Sequence, residues 1–191
     1  SFLFSKDNEN NFFLIIFSIA NIYGTFAILG YKFYHFTDQQ NGMLFGIVGL
    51  IGAIVQAGFI RTLSHKLNDK TILLIGIFFM MIGLGLIPYG GNFTGVAIVI
   101  SIMAVGSGIL QPIIPSMISK HSPENQQGAV LGFNQSISAF ARVLGPLWGG
   151  FSFDVLGYQY PFLTGAFFTL LALIFSFFML RSEKLKTVEN V

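Results

Sequence analysis

Residues 127–150 read QGAVLGFNQSISAFARVLGPLWGG. As a helix rising about 1.5 Å per residue, the stretch is long enough to cross a bilayer, yet it carries Asn134, Gln135, Ser136, Ser138 and the full positive charge of Arg142. A charged side chain at bilayer depth costs roughly 2.5–3.5 kcal/mol on insertion scales, so such residues face a bundle interior or a water-filled cavity rather than lipid. A helix that only anchored a protein would need none of them.

The surrounding chain makes the membrane the right frame. Of its 191 residues 53% are hydrophobic and 9% charged, with a mean hydropathy of +0.73, against roughly one quarter charged in soluble domains. The net charge of +2 is therefore no sign of a nucleic-acid partner. There is no cysteine, hence no disulfide and no thiol chemistry. His35, His65 and His121 are single and far apart, so neither a metal site nor a cofactor is expected. No basic, apolar, small-residue cleavage pattern precedes the first hydrophobic run, so no signal peptide is expected. The initial serine suggests a piece of something longer or a processed terminus.

Six apolar stretches near 11–34, 42–60, 71–90, 94–116, 127–153 and 160–181 each approach the length that spans about 30 Å of hydrocarbon as a helix. Barrel strands are disfavoured, because the runs lack the alternation a lipid-facing strand requires. Residues 1–10 read as a linker and 182–191 as a tail. Loops on one side hold Lys6, Arg61, Lys66, Lys70, Lys120, Arg181, Lys184 and Lys186, whereas the other side holds only Lys32. That bias predicts both termini to be cytoplasmic.

The first three stretches (11–90) resemble the last three (94–181). Asn41-Gly42-Met-Leu-Phe-Gly46 echoes Gln127-Gly128-Ala-Val-Leu-Gly132, and Leu74-Ile-Gly76-Ile-Phe78-Phe79 echoes Leu163-Thr-Gly165-Ala-Phe167-Phe168. Repeating a unit of three helices turns the second copy upside down, the inverted repeat of many secondary transporters.

In the second stretch Gly42, Gly46, Gly49, Ala53 and Ala57 form a small-residue stripe, which predicts tight packing on another helix. The following loop, Gly58-Phe-Ile-Arg61-Thr-Leu-Ser-His65-Lys66-Leu-Asn68-Asp69-Lys70, resembles a degenerate copy of the cytoplasmic loop motif of the major facilitator superfamily. Arg61 stands where the better-known copy has Asp, and Asn68 replaces a Gly. The resemblance places Arg61, Asp69 and Lys70 in a charge latch that steadies one conformation.

The fourth stretch ends Gly106-Ser107-Gly108-Ile-Leu-Gln111-Pro112. Pro112 lacks an amide donor, so a kink is expected there, freeing carbonyls for Gln111 or Ser107. The Gly-Ser-Gly is no phosphate loop, because no GK[ST] follows. In the fifth stretch Gln135, Ser138 and Arg142 fall at i, i+3 and i+7 and share a face that Pro146 and Gly149 continue. This stretch resembles the eleventh helix of drug-efflux members of the superfamily, including tetracycline antiporters, and Gly145-Pro146-Leu-Trp-Gly149-Gly150 resembles the antiporter motif. Arg142 has three readings: binding carbonyls freed by Pro146, pairing with an acid on another helix, or meeting an anionic substrate.

Asn21, with Phe17 and Thr25 one turn to either side, and Gln56 are the remaining polar residues at depth. A lone amide in lipid is more often an interhelical hydrogen bond than a ligand contact. In the family fold, however, helices equivalent to the first and fourth line the central cavity, the second and fifth face the other half, and the third and sixth face lipid. The resemblance thus implies Phe17, Asn21, Thr25, Ser107, Gln111, Asn134, Gln135, Ser138 and Arg142 as cavity candidates, with Pro112, Gly145, Pro146 and Gly149 conformational. Asn92-Phe-Thr94 is a glycosylation sequon expected to be unused, because its loop hugs the membrane.

The resemblance as a whole implies an all-α membrane protein, the C-terminal six-helix half of a twelve-helix fold in a bacterial-type inner membrane. Its expected activity is proton-coupled efflux of small amphipathic molecules or drugs by alternating access, not enzymatic catalysis. Its expected partners are the lipid bilayer, an N-terminal six-helix half or a second copy, a small-molecule substrate and protons. Asp38 and Asp154 both fall away from the bilayer centre, so a proton-carrying acid belongs to the other half. The alternative from another class is a membrane assembly protein that transports nothing.

Overall fold

The apolar stretches become helices throughout the part described, residues 6–189 of a computed structural model. They are α1 Lys6–Lys32, α2 Asp38–Ile54, α3 Ile60–Lys66, α4 Asp69–Leu86, α5 Phe93–His121, α6 Gln127–Val155 and α7 Tyr160–Glu189. A π turn, Val55–Phe59, joins α2 to α3 in one continuous span, so the seven helices make six rods. The rods outrun the apolar windows, because polar helix ends continue past the hydrocarbon. Five spans, Phe12–Lys32, Asp38–Lys66, Asp69–Tyr89, Phe93–Lys120 and Tyr160–Phe178, are long and apolar enough to cross a membrane. α6 is long enough but falls short in hydropathy, diluted by the same polar residues that single it out in the sequence. The molecule is a multi-pass, all-helical membrane protein.

Local chemistry sets the helix ends. Thr37 opens α2 with a reciprocal cap: its hydroxyl accepts from the Gln40 amide at 3.2 Å, and Gln40 Oε1 accepts from the Thr37 amide at 2.9 Å. Asn92, the sequon residue, caps α5 by accepting from the Gly95 amide at 2.8 Å. Between α6 and α7 the backbone turns at Gly157, whose φ of +122° disfavours any side chain, while its amide donates to the Ser152 carbonyl at 3.1 Å. In the α1–α2 turn Tyr34 donates its hydroxyl to the Ile87 carbonyl at 3.0 Å. Burial pushes that phenol above its ordinary value, opposed by backbone hydrogen bonding at Gly91 and Gly90.

Packing follows the repeat. α1 lies mainly against α6 and α7, α5 against α2 and α4, and α4 against α7. Exchanging α1 with α5, α2 with α6 and α4 with α7 maps α1–α6 onto α5–α2, α1–α7 onto α5–α4, and α4–α7 onto itself. Individual contacts obey the same exchange. A methyl on Gly76 would sit 3.0 Å from Leu110 of α5, and one on Gly165, 89 residues later, would sit 3.3 Å from the Ser18 carbonyl and 3.7 Å from Asn21 Nδ2 of α1. Asn41 opens α2 pressed on Gly30 near the end of α1, and Gln127 opens α6 donating to the Ser119 carbonyl near the end of α5 at 3.3 Å.

Lipid is as apolar as leucine, so it gives helices no hydrophobic reason to associate, and close van der Waals packing must hold them together. The fully buried side chains Ile72, Ile77, Met80, Leu84, Ile100, Ile109 and Leu110 form the α4–α5 seam. There Gly83 brings α4 so near α5 that a methyl on it would lie 2.5 Å from the Met103 amide nitrogen.

The seam between α1 and α6 is built from small residues: Ser138, Ala141, Gly145, Gly149 and Ser152 are its buried positions on α6. The stripe expected to pack tightly, Gly42, Gly46 and Gly49 on α2, meets no helix of this chain: a methyl added at any of them has open space around it. Further along the rod Gly52 and Val55 lie against Gly108 of α5. The stripe therefore finds no partner within the described residues. Small-residue spacing marks a face capable of close approach but says nothing about which face finds a neighbour. Gly128 and Gly132, the α6 counterparts of Gly42 and Gly46, are likewise open.

Candidate functional site

Polar residues on α5 and α6 converge on one cleft. A cavity of about 320 Å³ opens between α1, α5 and α6, and its polar wall is Gln111, Asn134, Gln135, Ser138 and Arg142. The facing wall is apolar, with Ile15, Ile16 and Ile19 of α1 and Tyr23 near one end. It therefore lies between the two repeats. Arg142 follows the start of α6 by fifteen residues, roughly 22 Å at the helical rise and about halfway along the helix.

Arg142 is solvent-exposed in the cleft and has no hydrogen bond or ion pair with any described residue. The first reading of Arg142, in which it binds carbonyls released by Pro146, is not what the structure places there. Ser138 lines the cleft but turns its hydroxyl back on the Asn134 carbonyl at 2.9 Å, so the amides of Asn134 and Gln135 and the guanidinium supply the polar surface. Across the cleft Gln111 Oε1 accepts from Gln56 Nε2 of the π turn at 3.2 Å. That bond occupies the Gln111 oxygen and leaves its amide nitrogen as the available donor. Among the described residues no group of three or more His, Asp or Glu side chains could hold a metal ion.

Phe17, Asn21, Thr25 and Ser107 do not line this cleft. Asn21 is fully buried, with Nδ2 donating to the Pro161 carbonyl at 2.6 Å and to Thr164 Oγ1 at 3.4 Å. Trp148 Nε1 donates to the same Thr164 oxygen at 3.1 Å, so one threonine gathers α1, α6 and α7. Asn21 Oδ1 has no partner and sits where a methyl on Gly149 would be, 2.6 Å away. Thr25 bonds the Asn21 carbonyl at 3.2 Å, Ser107 bonds the Ala104 carbonyl at 3.2 Å, and Phe17 packs edge-on against Phe168 at 5.4 Å. The apolar α1 wall and Tyr23 had no sequence signal, because a cavity wall of isoleucine reads like any lipid-facing helix.

Of the residues expected to control conformation, Gly145 and Gly149 form the closest α6–α1 approach, and Pro112 lies inside an unbroken α5. Pro146 is exposed within α6. Asp69, at the start of α4, pairs with Lys120 near the end of α5 at 2.6 Å. This ion pair bridges two helices at the basic end of the bundle. The neighbouring Lys70 also lies there, and the Arg61 side chain lies outside the described residues.

Comparison with known proteins agrees with this architecture. Residues 11–190 match the family model described as Major Facilitator Superfamily. An uncharacterized transporter of that type from Methanocaldococcus jannaschii is 26% identical over 189 residues, covering 96% of this chain and 47% of that protein. The quinolone resistance protein NorA of Staphylococcus aureus is 27% identical over 180 residues, covering 94% of this chain and 46% of NorA. Human major facilitator superfamily domain-containing protein 10 is 24% identical over 153 residues, covering 80% of this chain and 33% of that protein. The crystal structure of a D-xylose–proton symporter superposes with a TM-score of 0.71 at 18% identity, covering all of this chain and 53% of the symporter, which is a likeness of fold. The chain thus spans about half the length, or less, of the relatives it matches. With a family match over nearly all of its residues and an inverted pair of three-helix repeats, the chain belongs to the Major Facilitator Superfamily, a family of transporters and not of enzymes.

Proposed function

We propose that this chain is one six-helix half of a secondary transporter that carries small amphipathic molecules through the cleft between α1, α5 and α6. The observation that carries the reading is Arg142: a cation midway along a membrane helix, facing a cavity, with no counter-charge among the described residues. Such a residue is expensive in a membrane and is retained where a substrate or ion pathway uses it. The likeness to NorA and to the sugar–proton symporter supports transport, with drug-like cargo and proton coupling as the finer form of the proposal.

Alternating access needs two units rocking about a midplane site. The open glycine faces of α2 and α6 are the surfaces on which the second unit would pack, and the length of the relatives supports an N-terminal half as that unit. The loop charges support placing both termini in the cytoplasm.

The cleft wall offers a guanidinium and amide groups opposite isoleucines, so the cargo has an apolar body and an anionic or carbonyl acceptor. Arg142→Ala in the full-length protein is expected to cut uptake or efflux of labelled cargo at least tenfold, with wild-type amounts of folded protein in the membrane. Equal transport by mutant and wild type would remove Arg142 from the mechanism, and transport that survived collapse of the proton gradient would end the coupling proposal.

A further inference from the structure

The second rod touches the polar wall of the cleft without lining it. Gln56 is not among the residues around the cavity, yet its Nε2 donates to Oε1 of Gln111, which is, at 3.2 Å. The bond joins α5 to the π turn Val55–Phe59, where the Ile60 amide donates to the Val55 carbonyl five residues back. Such turns are rare and frequently mark functional sites.

The backbone beside that bond is held in place. Val55, next to Gln56, is buried, and a methyl on Gly108, three residues before Gln111, would lie 3.3 Å from both Val55 and Gly52. Rods packed this closely keep the two amides in register, so what remains to be set is how each amide is turned.

A primary amide carries an acceptor at one end and donors at the other, so the group that Gln111 offers depends on what occupies the opposite end. Gln56 occupies the oxygen, which leaves the nitrogen to be met by cargo. Arg142 has donors only. Ser138 spends its proton on the Asn134 carbonyl at 2.9 Å, and no carboxylate is among the residues that line the cavity. Gln111 is therefore a place where the wall's balance of donors and acceptors is set by a residue outside the cleft.

We propose that Gln56 is a positioning residue that sets the selectivity of the cleft: by occupying the Gln111 oxygen it favours cargo carrying an acceptor over cargo of the same apolar size carrying only donors. This rests on the reading of the cleft as the cargo site. The test measures retention of two tritiated probes with the same alkyl chain by full-length protein in phosphatidylcholine nanodiscs, with empty nanodiscs subtracted. Decyl methyl sulfoxide only accepts hydrogen bonds, and decylammonium only donates them. Wild type is expected to favour the sulfoxide. Gln56→Glu, which as a carboxylate only accepts and so draws the Gln111 nitrogen toward itself, should lower that ratio about fivefold, the worth of one hydrogen bond. Gln56→Lys, which still donates, should keep the wild-type ratio, and Gln56→Met, which does neither, should lower it in part. In a Gln111→Ala background Gln56→Glu should leave the ratio unchanged, because Gln56 acts through Gln111. An unchanged ratio in folded Gln56→Glu or Gln56→Met protein would overturn the proposal. So would an equal effect of Gln56→Glu with Gln111 removed, which is charge acting through space, or a loss in Gln56→Lys as large as in Gln56→Glu. Wild type that retains both probes equally would overturn this proposal alone, whereas wild type that retains neither would end the reading of the cleft as a cargo site and this proposal with it. A matching elution volume and thermal midpoint for each variant establishes that it is folded.

Discussion

Alanine at Gly145 adds one methyl group where α1 and α6 approach closely. That methyl would stand 2.6 Å from the Ala20 β-carbon and 2.8 Å from the Asn21 amide nitrogen. Carbon atoms rest at about 3.5–4.0 Å, so the two helices must separate by about 1 Å or more. One neighbour is backbone, which no rotamer change relieves. Overpacking of this kind costs about 1–3 kcal/mol, against about 1 kcal/mol gained in helix propensity when glycine becomes alanine. The net expectation for Gly145→Ala is a loss of up to about 2 kcal/mol. Gly150, five residues on, has nothing within 4 Å of an added methyl, so Gly150→Ala keeps the propensity gain and should stabilise. The two substitutions are chemically identical and differ only in surroundings, which makes the sign of the difference informative. Thermal unfolding of the full-length protein in detergent, followed by fluorescence-detected gel filtration, measures it. Equal midpoints for the two variants, or a lower one for Gly150→Ala, would refute the close α1–α6 approach.

Three further outcomes follow from the hydrogen bonds and the ion pair. Asn21→Leu removes both donations from Nδ2, to the Pro161 carbonyl and to Thr164 Oγ1, and should cost about 1–2 kcal/mol of stability, with the KM for cargo unchanged; a raised KM at unchanged stability would place Asn21 in the transport path instead. Asp69→Asn breaks an exposed pair and should change the thermal midpoint little, worth at most about 1 kcal/mol, while raising the labelling rate of a cysteine introduced at Thr71 if the pair holds α4 to α5. Tyr34→Phe should cost about 1 kcal/mol. Because burial raises the Tyr34 phenol, its contribution is complete below the unfolded value near 10 and fades as pH rises through the folded one; only wild type should show that alkaline loss in a melting series.

Much of the architecture was readable in advance, and the unreadable parts share a cause. Helix length and hydropathy report the lipid environment directly, so six rods could be counted from composition alone. The repeat was readable because Gly76 and Gly165 occupy equivalent helix contacts, which favours a small residue at both. The polar face of α6 was readable because lipid tolerates Asn134, Gln135 and Arg142 only where something other than lipid faces them. What a sequence does not carry is the identity of a neighbour. Asn21 and Gln111 look alike, each an amide in an apolar helix, yet one is sealed among three helices and the other opens on the cleft. The same holds for the small-residue faces: α6 turns one toward α1, while that of α2 meets nothing in this chain. The π turn left no mark, since Val-Gln-Ala-Gly-Phe suits an α-helix equally well.

That π turn bears on how the chain tolerates changes of length. Its wider loop of backbone holds one residue more than an α turn. Removing a single residue from Val55–Phe59 would let the turn close to ordinary α geometry, with Asp38–Ile54 and Ile60–Lys66 still aimed at their present neighbours. The same deletion anywhere else along the rod would swing everything beyond it by about 100° and carry the faces that meet α5 and α4 out of alignment. The second rod therefore has one site at which a deletion is absorbed locally, and it is the site from which Gln56 reaches Gln111.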